Sequence, residues 1–425
     1  MCSNIIKKLD KKGFISQITN KEDLFSIVNK KNITLYCGFD ATSDSLHLGH
    51  LIPILCLKKF QESGHHPIIL IGGATSLIGD PSFKKKERNY ISYNLICRWK
   101  KKIKKQLSNF LDFENCKNKA IILDNYDWFK NINILKFLRK IGKYYSVNKM
   151  INKDFVKKRI NNIDKGISFT EFSYTLLQGY DFSWLYKKYD AILQIGGSDQ
   201  WGNIISGIDL SYKLHRAKLF GLTTPLFLKN NGEKFGKTNK ENIWLNEKKT
   251  SPYEFYQFWL NLPDNNILNS LKLFTSFNIK EINSFKDINS ININTKKYLK
   301  SFIADEITSL IHGSNILLSL KNVTKKLFNK TSNNLTYKDF CILYKYGIPS
   351  INLTNNKIFL RNFLVDSLIA KSLTQARNMI LSNSIYINNK LINNTYYIFN
   401  DLDKLFNKFT LLCKGKKNFF LIKWI

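Results

Sequence analysis

Short apolar runs alternate with longer segments of helical spacing through the first half of the chain, and this alternation constrains the fold more than any other feature. The apolar runs cover residues 33–38, 67–73, 120–124 and 191–196, and most of them end in glycine. Between the first two, residues 48–60 carry apolar side chains at helical spacing. Strands that alternate with helices are typical of parallel sheets. The sequence therefore predicts an α/β fold with a Rossmann-like, doubly wound parallel sheet.

Polar or glycine-rich residues follow all four of these predicted strands. The tails are residues 38–40, 72–75, 124–125 and 196–200. In an open α/β sheet, ligands bind in the crevice beyond the carboxyl ends of the strands. We therefore expect the functional site at this edge of the sheet.

The second half of the chain has a different pattern. From about residue 251, apolar and aromatic residues at helical spacing predict a helical region that reaches about residue 330. An Asn- and Thr-rich stretch follows, and the last segment is compact and basic. The predicted organisation is a Rossmann-like domain over 1–220, a loop and helical domain over 221–330, a linker over 331–357 and a small domain over 358–425.

The net charge of the chain is strongly positive. Lys and Arg number 66 against 32 Asp and Glu, which gives a formal charge of +34. Such a charge fits a polyanionic partner such as a nucleic acid. The chain is also rich in Lys, Asn and Ile and poor in Pro, a bias that genome-wide base composition produces without regard to function. Both explanations of the charge remain open.

Seven cysteines are scattered through the chain without a CxxC pair or the spacing of a metal finger. Such a set is typical of a reducing compartment rather than of a disulfide framework. The N-terminus lacks the apolar core of a secretory signal, and no apolar run approaches the roughly 20 residues that span a bilayer. These features predict a cytoplasmic protein with no membrane partner.

His47 and His50 lie three residues apart at the start of the first predicted helix, so we expect them to share a helix face. Asp44 or Ser45 is the expected N-cap, and Gly49 allows a ligand to approach closely. A helix N-terminus attracts phosphate through its free N–H groups, and imidazole donors add to this attraction. The alternatives are a surface pair and a fragment of a metal site, for which the sequence offers no further ligands.

Residues 234–238, Lys-Phe-Gly-Lys-Thr, place two ammonium groups and a hydroxyl in a loop marked by glycine. The stretch from Gly232 resembles a P-loop but has three rather than four positions between its glycines. It also stands far beyond the first strand of the sheet, where a P-loop belongs. The sequence therefore disfavours a kinase or ATPase, and a solvated basic turn remains the alternative.

The predicted helix at residues 168–181 carries Tyr174, Gln178 and Asp181 at spacings of four and three, so they share one face. A phenol, an amide and a carboxylate on one face can hold an ammonium group and a phenolic hydroxyl. Gly179 costs helix stability, which predicts that another element packs closely against it. An ordinary polar surface is the alternative.

Asp80 lies in a turn near the end of the second predicted strand, before Pro81. Its carboxylate either binds an amine or caps the turn. Lys84 and Arg88 follow four residues apart and are candidates for phosphate binding or for simple surface charge.

Taken together, strings along nearly the whole chain resemble the bacterial-type tyrosyl-tRNA synthetases, which are class I aminoacyl-tRNA synthetases. The matching strings lie at residues 47–50, 72–75, 78–82, 125–128, 167–174, 193–203 and 234–238. The loop at 234–238 departs from the general class I pattern Lys-Met-Ser-Lys-Ser, but its form is usual in this family. The resemblance implies that tyrosine and ATP form tyrosyl-adenylate and pyrophosphate, and that tyrosine then passes to the 3′ end of tRNA-Tyr.

The resemblance also implies roles for individual residues. Tyr36 and Asp181 would bind the phenolic hydroxyl, and Asp80, Tyr174 and Gln178 the α-amino group. Gln200 would lie near the tyrosine carboxylate, and Asn125 and Gln194 also belong to the implied substrate pocket. The residues implied around the adenylate are Cys37, Gly38, Asp40, Gly49, Gly197, Asp199 and Lys237. Those implied to stabilise the transferring phosphate are Thr42, His47, His50, Lys84, Arg88, Lys234, Lys237 and Thr238.

Further implications concern cofactors and partners. ATP would be a substrate, with Mg²⁺ accompanying the triphosphate and no dedicated protein metal site. The family implies a homodimer, with residues 126–165 supplying much of the interface. The last segment resembles a small α+β RNA-binding module of a ribosomal protein, although residues 371–377 are less basic than in many relatives. A non-catalytic RNA-binding protein on the same scaffold is the rival hypothesis.

Overall fold

The computed structural model describes residues 5–82, 91–161, 166–227, 242–285, 291–328, 335–354, 358–415 and 418–425. The chain divides into two compact units. The first comprises Met1–Leu245 and Leu268–Lys286, and the second comprises Asn246–Ile267 and Asp287–Ile425. No helix among the described residues is long and apolar enough to cross a membrane.

A six-stranded sheet forms the centre of the first unit. Its strands are β1 (Gln17–Ile18), β2 (Thr34–Asp40), β3 (His66–Gly72), β4 (Ile121–Asp124), β5 (Ala191–Gly197) and β6 (Phe220–Thr224). They lie in the order β1-β6-β5-β2-β3-β4, and all neighbours are parallel except β1 and β6. This arrangement confirms the predicted parallel sheet, and β6 extends it beyond the expected boundary at residue 220. The chain order reverses between β2 and β5, so the crevice for a ligand opens there.

Helices connect these strands. They are α1 (Ile5–Lys11), α2 (Lys21–Lys30), α3 (Leu48–Glu62), α4 (Thr75–Ile78), α5 (Tyr93–Leu107), α6 (Tyr126–Phe129), α7 (Ile134–Lys140), α8 (Val147–Ile151), α9 (Asp154–Ile160), α10 (Phe169–Tyr189) and α11 (Trp201–His215). The helix predicted at 168–181 is the first part of α10, which Ser168 caps by accepting a hydrogen bond from the Glu171 N–H.

Gly179 lies where α10 crosses α11. This agrees with the prediction that another element packs closely against it. Its Cα faces the Cα of Gly207, and an added Cβ would stand 3.5 Å from that atom. The same Cβ would overlap the hydroxyl of Tyr145. Glycine therefore allows two helix backbones and a phenol to meet at one point, beside Gln178 and Asp181 on the face of α10 that the sequence analysis singled out.

Helices predominate after β6. They are α12 (Pro252–Leu260), α13 (Ile267–Phe274), α14 (Ile279–Ser284), α15 (Ile293–His312), α16 (Ser314–Phe328), α17 (Tyr337–Tyr346), α18 (Leu360–Asp366) and α19 (Leu373–Leu381). From Leu268 onward, α13 and α14 belong to the first unit, and the others belong to the second. Ser251 and Glu254 form a capping box that starts α12, where the sequence predicted a change of pattern.

A second sheet closes the chain. Its strands are β7 (Ser350–Leu353), β8 (Ile385–Ile387), β9 (Lys390–Leu391), β10 (Phe409–Lys414) and β11 (Asn418–Trp424), in the order β7-β11-β10-β8-β9. Both β7 and α17 fall within residues 331–357, which the sequence analysis assigned to a linker. That assignment is wrong for these residues, because β7 pairs with β11, some 70 residues away, and no local pattern reports such a pairing.

Candidate active site

Asp181 lies at the buried end of the cluster of predicted substrate-binding side chains in the first unit, which we call the pocket. Its side chain projects from α10 and is only 2% exposed. One carboxylate oxygen accepts a hydrogen bond from Trp128 Nε1 at 2.9 Å, and the other accepts one from Asn125 Nδ2 at 3.1 Å. Burial raises the pKa of Asp181 well above its ordinary value of 3.8, although these two hydrogen bonds act in the opposite direction.

Three buried oxygens of the pocket residues have no hydrogen-bond partner within the described part of the chain. They are Tyr36 Oη, Gln178 Oε1 and Gln194 Oε1. Tyr36 and Gln194 are paired neighbours on β2 and β5, at the switch point of the sheet. Burial and the nearby Asp181 raise the pKa of Tyr36 well above 10.0. Buried polar atoms are normally paired, so these oxygens indicate a place for a polar ligand.

Asp40 links the pocket to the carboxyl end of β2. Its oxygens accept hydrogen bonds from Tyr174 Oη at 2.9 Å and from Thr75 Oγ1 at 2.7 Å. Asn125 joins the same network, because its Nδ2 also donates to Thr75 Oγ1 at 3.1 Å. The structure thus brings together candidates for amine binding and for adenylate binding that lie 134 residues apart in the chain.

Asp80 and Gln200 meet at a second edge of the pocket. Gln200 Nε2 donates to Asp80 Oδ2 at 2.8 Å, and the Ser82 N–H donates to Asp80 Oδ1 at 2.9 Å. Asp80 therefore caps its own turn and also faces a side chain from the end of β5. The two alternatives for Asp80 are compatible, since a carboxylate has acceptor capacity beyond these two bonds.

His47 and His50 cap α3 with their rings. His47, with extended backbone, is the N-cap, and its Nδ1 accepts from the Gly49 N–H at 3.1 Å. His50 Nδ1 accepts from the His47 N–H at 3.1 Å, which completes a reciprocal capping box. The expectation that Asp44 or Ser45 caps this helix is wrong. Asp44 instead binds Lys102 at 2.9 Å, and Ser45 donates to the Leu46 carbonyl.

The remaining candidates around the nucleotide lie at the ends of β2 and β5. Cys37 is buried within β2, and burial raises the pKa of its thiol to about 12. Gly38 is the next residue, and apart from its chain neighbours no atom of the described residues lies within 4 Å of where its Cβ would be. Thr42 follows β2, with its N–H bonded to the Asp40 carbonyl at 2.9 Å. Gly197 ends β5, and Asp199 lies in the helical turn that follows.

Five of the predicted phosphate-binding residues lie outside the described part of the chain. They are Lys84, Arg88, Lys234, Lys237 and Thr238. The segment just after the predicted loop is described, and it returns to the histidines. The Leu48 N–H donates to the Ile243 carbonyl and the Leu245 N–H to the Leu46 carbonyl, each at 2.9 Å. The rings of His47 and Trp244 lie 5.9 Å apart.

Some residues of the pocket were missed in the sequence analysis. Trp128, which binds Asp181, belongs to a quoted string but was given no role. Lys153 contacts α10 and α11, and Tyr145 fills the space beside Gly179. Neither had a local signal. Among the described residues, no group of three or more His, Cys, Asp or Glu side chains is arranged to hold a metal ion.

Comparison with known proteins gives full-length matches. The family model "tRNA synthetases class I (W and Y)" matches residues 28–329, and the model "Tyrosine--tRNA ligase SYY-like C-terminal domain" matches residues 343–422. The tyrosine–tRNA ligase of Buchnera aphidicola subsp. Baizongia pistaciae is 51% identical over 100% of this chain and 99% of the relative. That of Escherichia coli (strain 55989 / EAEC) is 50% identical over 99% of both chains.

Solved structures agree. A C-terminally truncated mitochondrial tyrosyl-tRNA synthetase from Aspergillus nidulans has a TM-score of 0.68 and 27% identity, over 77% of this chain and 94% of the other. The Archaeoglobus fulgidus enzyme complexed with L-tyrosine has a TM-score of 0.56 at 16% identity, over 74% and 99%, which is a similarity of fold.

Proposed function

Because this chain belongs to the class I tRNA synthetases of the tryptophan and tyrosine group, we propose that its pocket binds tyrosine for activation by ATP and transfer to tRNA-Tyr. Identity of 50–51% over the whole length to tyrosine–tRNA ligases places it among the aminoacyl-tRNA ligases of translation. The amino acid side of this proposal rests on the buried unpartnered oxygens next to Asp181.

A phenolic hydroxyl fits between Tyr36 and Asp181. It would donate its hydrogen to Asp181 and accept one from Tyr36 Oη, which has no partner among the described residues. Phenylalanine would leave Tyr36 Oη without a partner and would offer Asp181 no further donor, a basis of discrimination that is a known property of tyrosyl-tRNA synthetases rather than a new prediction. Asn125 donates to Asp181 at this end of the pocket, and Gln194 lies opposite Tyr36 on the neighbouring strand.

The amino acid's other end would lie near Asp80. Asp80, Tyr174 and Gln178 offer a carboxylate, a phenol and an amide oxygen that has no partner among the described residues, and these groups suit an ammonium group. Gln200, bound to Asp80, would adjoin the carboxylate of tyrosine. This carboxylate is itself the nucleophile, so the protein needs no nucleophilic side chain.

Catalysis would then consist of positioning and of stabilising charge on the phosphates. His47 and His50 would donate hydrogen bonds at the N-terminus of α3, near Thr42. Cys37, Gly38, Asp40, Gly49, Gly197 and Asp199 would surround the adenylate. Lys84, Arg88, Lys234, Lys237 and Thr238 would meet the triphosphate, which enters as a substrate together with Mg²⁺ and without a dedicated protein metal site.

Lys237→Ala tests the phosphate assignment. We expect it to slow adenylate formation by about 3 kcal/mol of transition-state stabilisation, as for other preorganised donors, with tyrosine affinity nearly unchanged. Single-turnover adenylate formation and equilibrium tyrosine binding separate the two effects. Equal losses in both would remove Lys237 from this role.

The second unit would contact tRNA. The four-part organisation proposed from sequence assigns tRNA contacts to the helical segment and to the C-terminal sheet with α18 and α19, largely through phosphates. Deletion of residues 350–425 removes β7 together with the strands that pair with it. We expect pyrophosphate exchange to persist and tRNA charging to fall strongly. Undiminished charging would contradict the RNA-binding role.

A homodimer is the proposed assembly, and the cytoplasm the proposed compartment. Large apolar side chains are exposed on α7 and α8, including Ile134 at 64%, Leu135 at 73% and Val147 at 57%. Exposed apolar surface of this kind is typical of interfaces. Sedimentation equilibrium of the wild type and of Leu135→Glu tests this, since the variant should shift the equilibrium towards monomer.

The decisive experiment is amino-acid-dependent ATP–pyrophosphate exchange with the purified full chain. Tyrosine, phenylalanine and tryptophan are supplied separately. Exchange with tyrosine alone is expected. Folded protein that exchanges with none of the three would favour the rival hypothesis, a non-catalytic RNA-binding protein.

A further inference from the structure

Lys153 joins three elements beside the amino acid pocket. It is the N-cap residue of α9, and its Nζ donates to Thr175 Oγ1 on α10 at 3.2 Å and to Ser206 Oγ on α11 at 2.9 Å. The side chain is partly buried between α10 and α11.

From Lys153, hydrogen bonds lead step by step to Asp80. Thr175 Oγ1 donates to Asn203 Oδ1 at 3.0 Å, and Asn203 Nδ2 lies 3.4 Å from Gln200 Oε1. Gln200 Nε2 in turn donates to Asp80 Oδ2 at 2.8 Å. Every donor in this series of hydrogen bonds points in the same direction, from the ammonium group of Lys153 to the carboxylate of Asp80.

The groups at the two ends of this series of hydrogen bonds, Lys153 and Asp80, determine its direction. An ammonium group only donates and an ionised carboxylate only accepts, whereas a hydroxyl and two amides between them can each be reversed. With Lys153 as donor, Thr175 has its one hydrogen available for Asn203. That bond sets the amide of Asn203, which then presents its NH₂ to the carbonyl oxygen of Gln200.

Charged groups of the surroundings support a cation at this position. Asp80 follows β3 and Asp209 lies on α11, and both carboxylates raise the pKa of Lys153. Burial is the larger effect and lowers that pKa to about 8. Keeping the ammonium group of Lys153 partly buried, where it donates to two hydroxyls, costs desolvation free energy that a solvated lysine does not lose.

We propose that Lys153 is a positioning residue that orients the side-chain amide of Gln200, through Thr175 and Asn203, against Asp80. In this arrangement the Gln200–Asp80 pair is held ready for the amino and carboxylate groups of the amino acid. The inference rests on the proposed function, because it assigns those two groups of tyrosine to Asp80 and Gln200.

The test compares Lys153→Met with Lys153→Arg in the full chain, and Lys188→Met, at an exposed position near the end of α10, is the matched control. Lys153→Met should raise the KM for tyrosine in pyrophosphate exchange about tenfold, the size expected for losing a hydrogen bond from a charged group. The KM for ATP should change little. Lys153→Arg keeps a cation that only donates and should restore most of the tyrosine affinity.

A second pair of variants interrupts the chain of hydrogen bonds without removing charge. Thr175→Val removes the hydroxyl at nearly constant shape and should raise the tyrosine KM as Lys153→Met does. Thr175→Ser keeps the hydroxyl and should resemble the wild type. This pair decides the matter if Lys153→Met fails to fold.

The outcomes separate the inference from the proposed function. Loss of tyrosine-dependent exchange in the wild type would overturn the function itself. Normal wild-type exchange, with an unchanged tyrosine KM in Lys153→Met or in Thr175→Val, would overturn only the positioning role. A drop in kcat and thermal stability that Lys153→Arg fails to rescue, at constant tyrosine KM, would also overturn it by assigning Lys153 to structure alone.

Discussion

Two buried aspartates, Asp181 in the first sheet's pocket and Asp403 beside the second sheet, lie in polar clusters of opposite design. Asp403 accepts from Tyr397 Oη at 2.7 Å and from the Asn400 N–H at 3.0 Å. Its carbonyl oxygen accepts from Asn388 Nδ2 at 2.7 Å and from Thr410 Oγ1 at 2.6 Å. Asp181 also has two donors, but the phenol next to it, Tyr36, has no partner among the described residues.

The two clusters differ in whether the protein's own groups supply a hydrogen-bond partner for the phenol, and we call them closed where they do and open where they do not. Around Asp403 the phenol is paired, and Trp424 Nε1 satisfies Thr410 Oγ1 at 2.8 Å. The surrounding core of Phe363, Phe399 and Leu412 is apolar. Such a cluster stabilises a fold. Around Asp181, Tyr36 Oη and Gln194 Oε1 have no partner in the part of the chain that the structure describes, at a cost to stability that is expected where a ligand completes the network.

Matched asparagine variants should give the largest contrast. Asp181→Asn is expected to reduce tyrosine-dependent exchange on the order of 100-fold, because it places a donor where the phenolic hydroxyl must donate. Asp403→Asn should leave exchange intact and lower the free energy of unfolding by about 1–2 kcal/mol, since it loses one accepted hydrogen bond. Exchange kinetics and urea denaturation of both variants provide the comparison. If Asp403→Asn lost exchange with its fold intact, the contrast between the two aspartates would be wrong.

The same Asp181 variant has a pH signature. Because the pKa of Asp181 is raised in the folded state, the folded chain binds this proton more tightly than the unfolded chain does. Its contribution to stability therefore falls as pH rises above the ordinary value of 3.8. The free energy of unfolding of Asp181→Asn minus that of the wild type should increase from acidic to neutral pH. A constant difference would contradict the raised pKa.

The packing behind the open cluster should give the next effect. Gly179→Ala adds a Cβ that overlaps the Tyr145 hydroxyl, so we expect a loss of about 1–3 kcal/mol in the free energy of unfolding. Adding Tyr145→Phe should recover much of the loss. Gly142→Ala is the control, since among the described residues its Cβ would meet Leu138 alone, at an ordinary 3.6 Å. Urea denaturation of the wild type, Gly179→Ala, Tyr145→Phe, the double variant and Gly142→Ala tests this coupling, which additive effects of the two substitutions would disprove.

Removal of one phenolic hydroxyl from each cluster should give the smallest effects. Tyr36→Phe removes an unpartnered hydroxyl, so stability should hold or rise while the preference for tyrosine over phenylalanine falls about tenfold. Tyr397→Phe removes a paired hydroxyl and should cost about 1 kcal/mol of stability with the preference unchanged. Exchange with both amino acids, together with thermal unfolding, measures each side. If Tyr36→Phe and Tyr397→Phe changed stability and amino acid preference equally, the distinction between open and closed clusters would be wrong.

The strands and the main helices of the first unit were predictable because the local spacing of apolar residues indicates which of their positions are buried. β2, β3, β4 and β5 lie within one or two residues of their predicted positions. Local patterns failed where a partner lies far away in the chain. Asp44 is a good N-cap in isolation, but Lys102 binds it from α5, 58 residues on.

The candidate site divides along the same line. The shared face of Tyr174, Gln178 and Asp181 follows from helical spacing, and the resemblance to a family supplied their roles. Lys153 and Tyr145 had no such signal, because their contacts depend on the crossing of α10 and α11. Side chains that act through other side chains become visible only after the packing is known.

The capping box at the start of α3 has one more consequence, for the protons of its two imidazoles. Since Nδ1 of His47 and Nδ1 of His50 both accept a backbone N–H, a neutral ring carries its hydrogen on Nε2. The cap therefore selects a single tautomer in both rings. If these rings bind a phosphate as proposed, the helix end that holds them also determines that Nε2 is the donor nitrogen of a neutral ring.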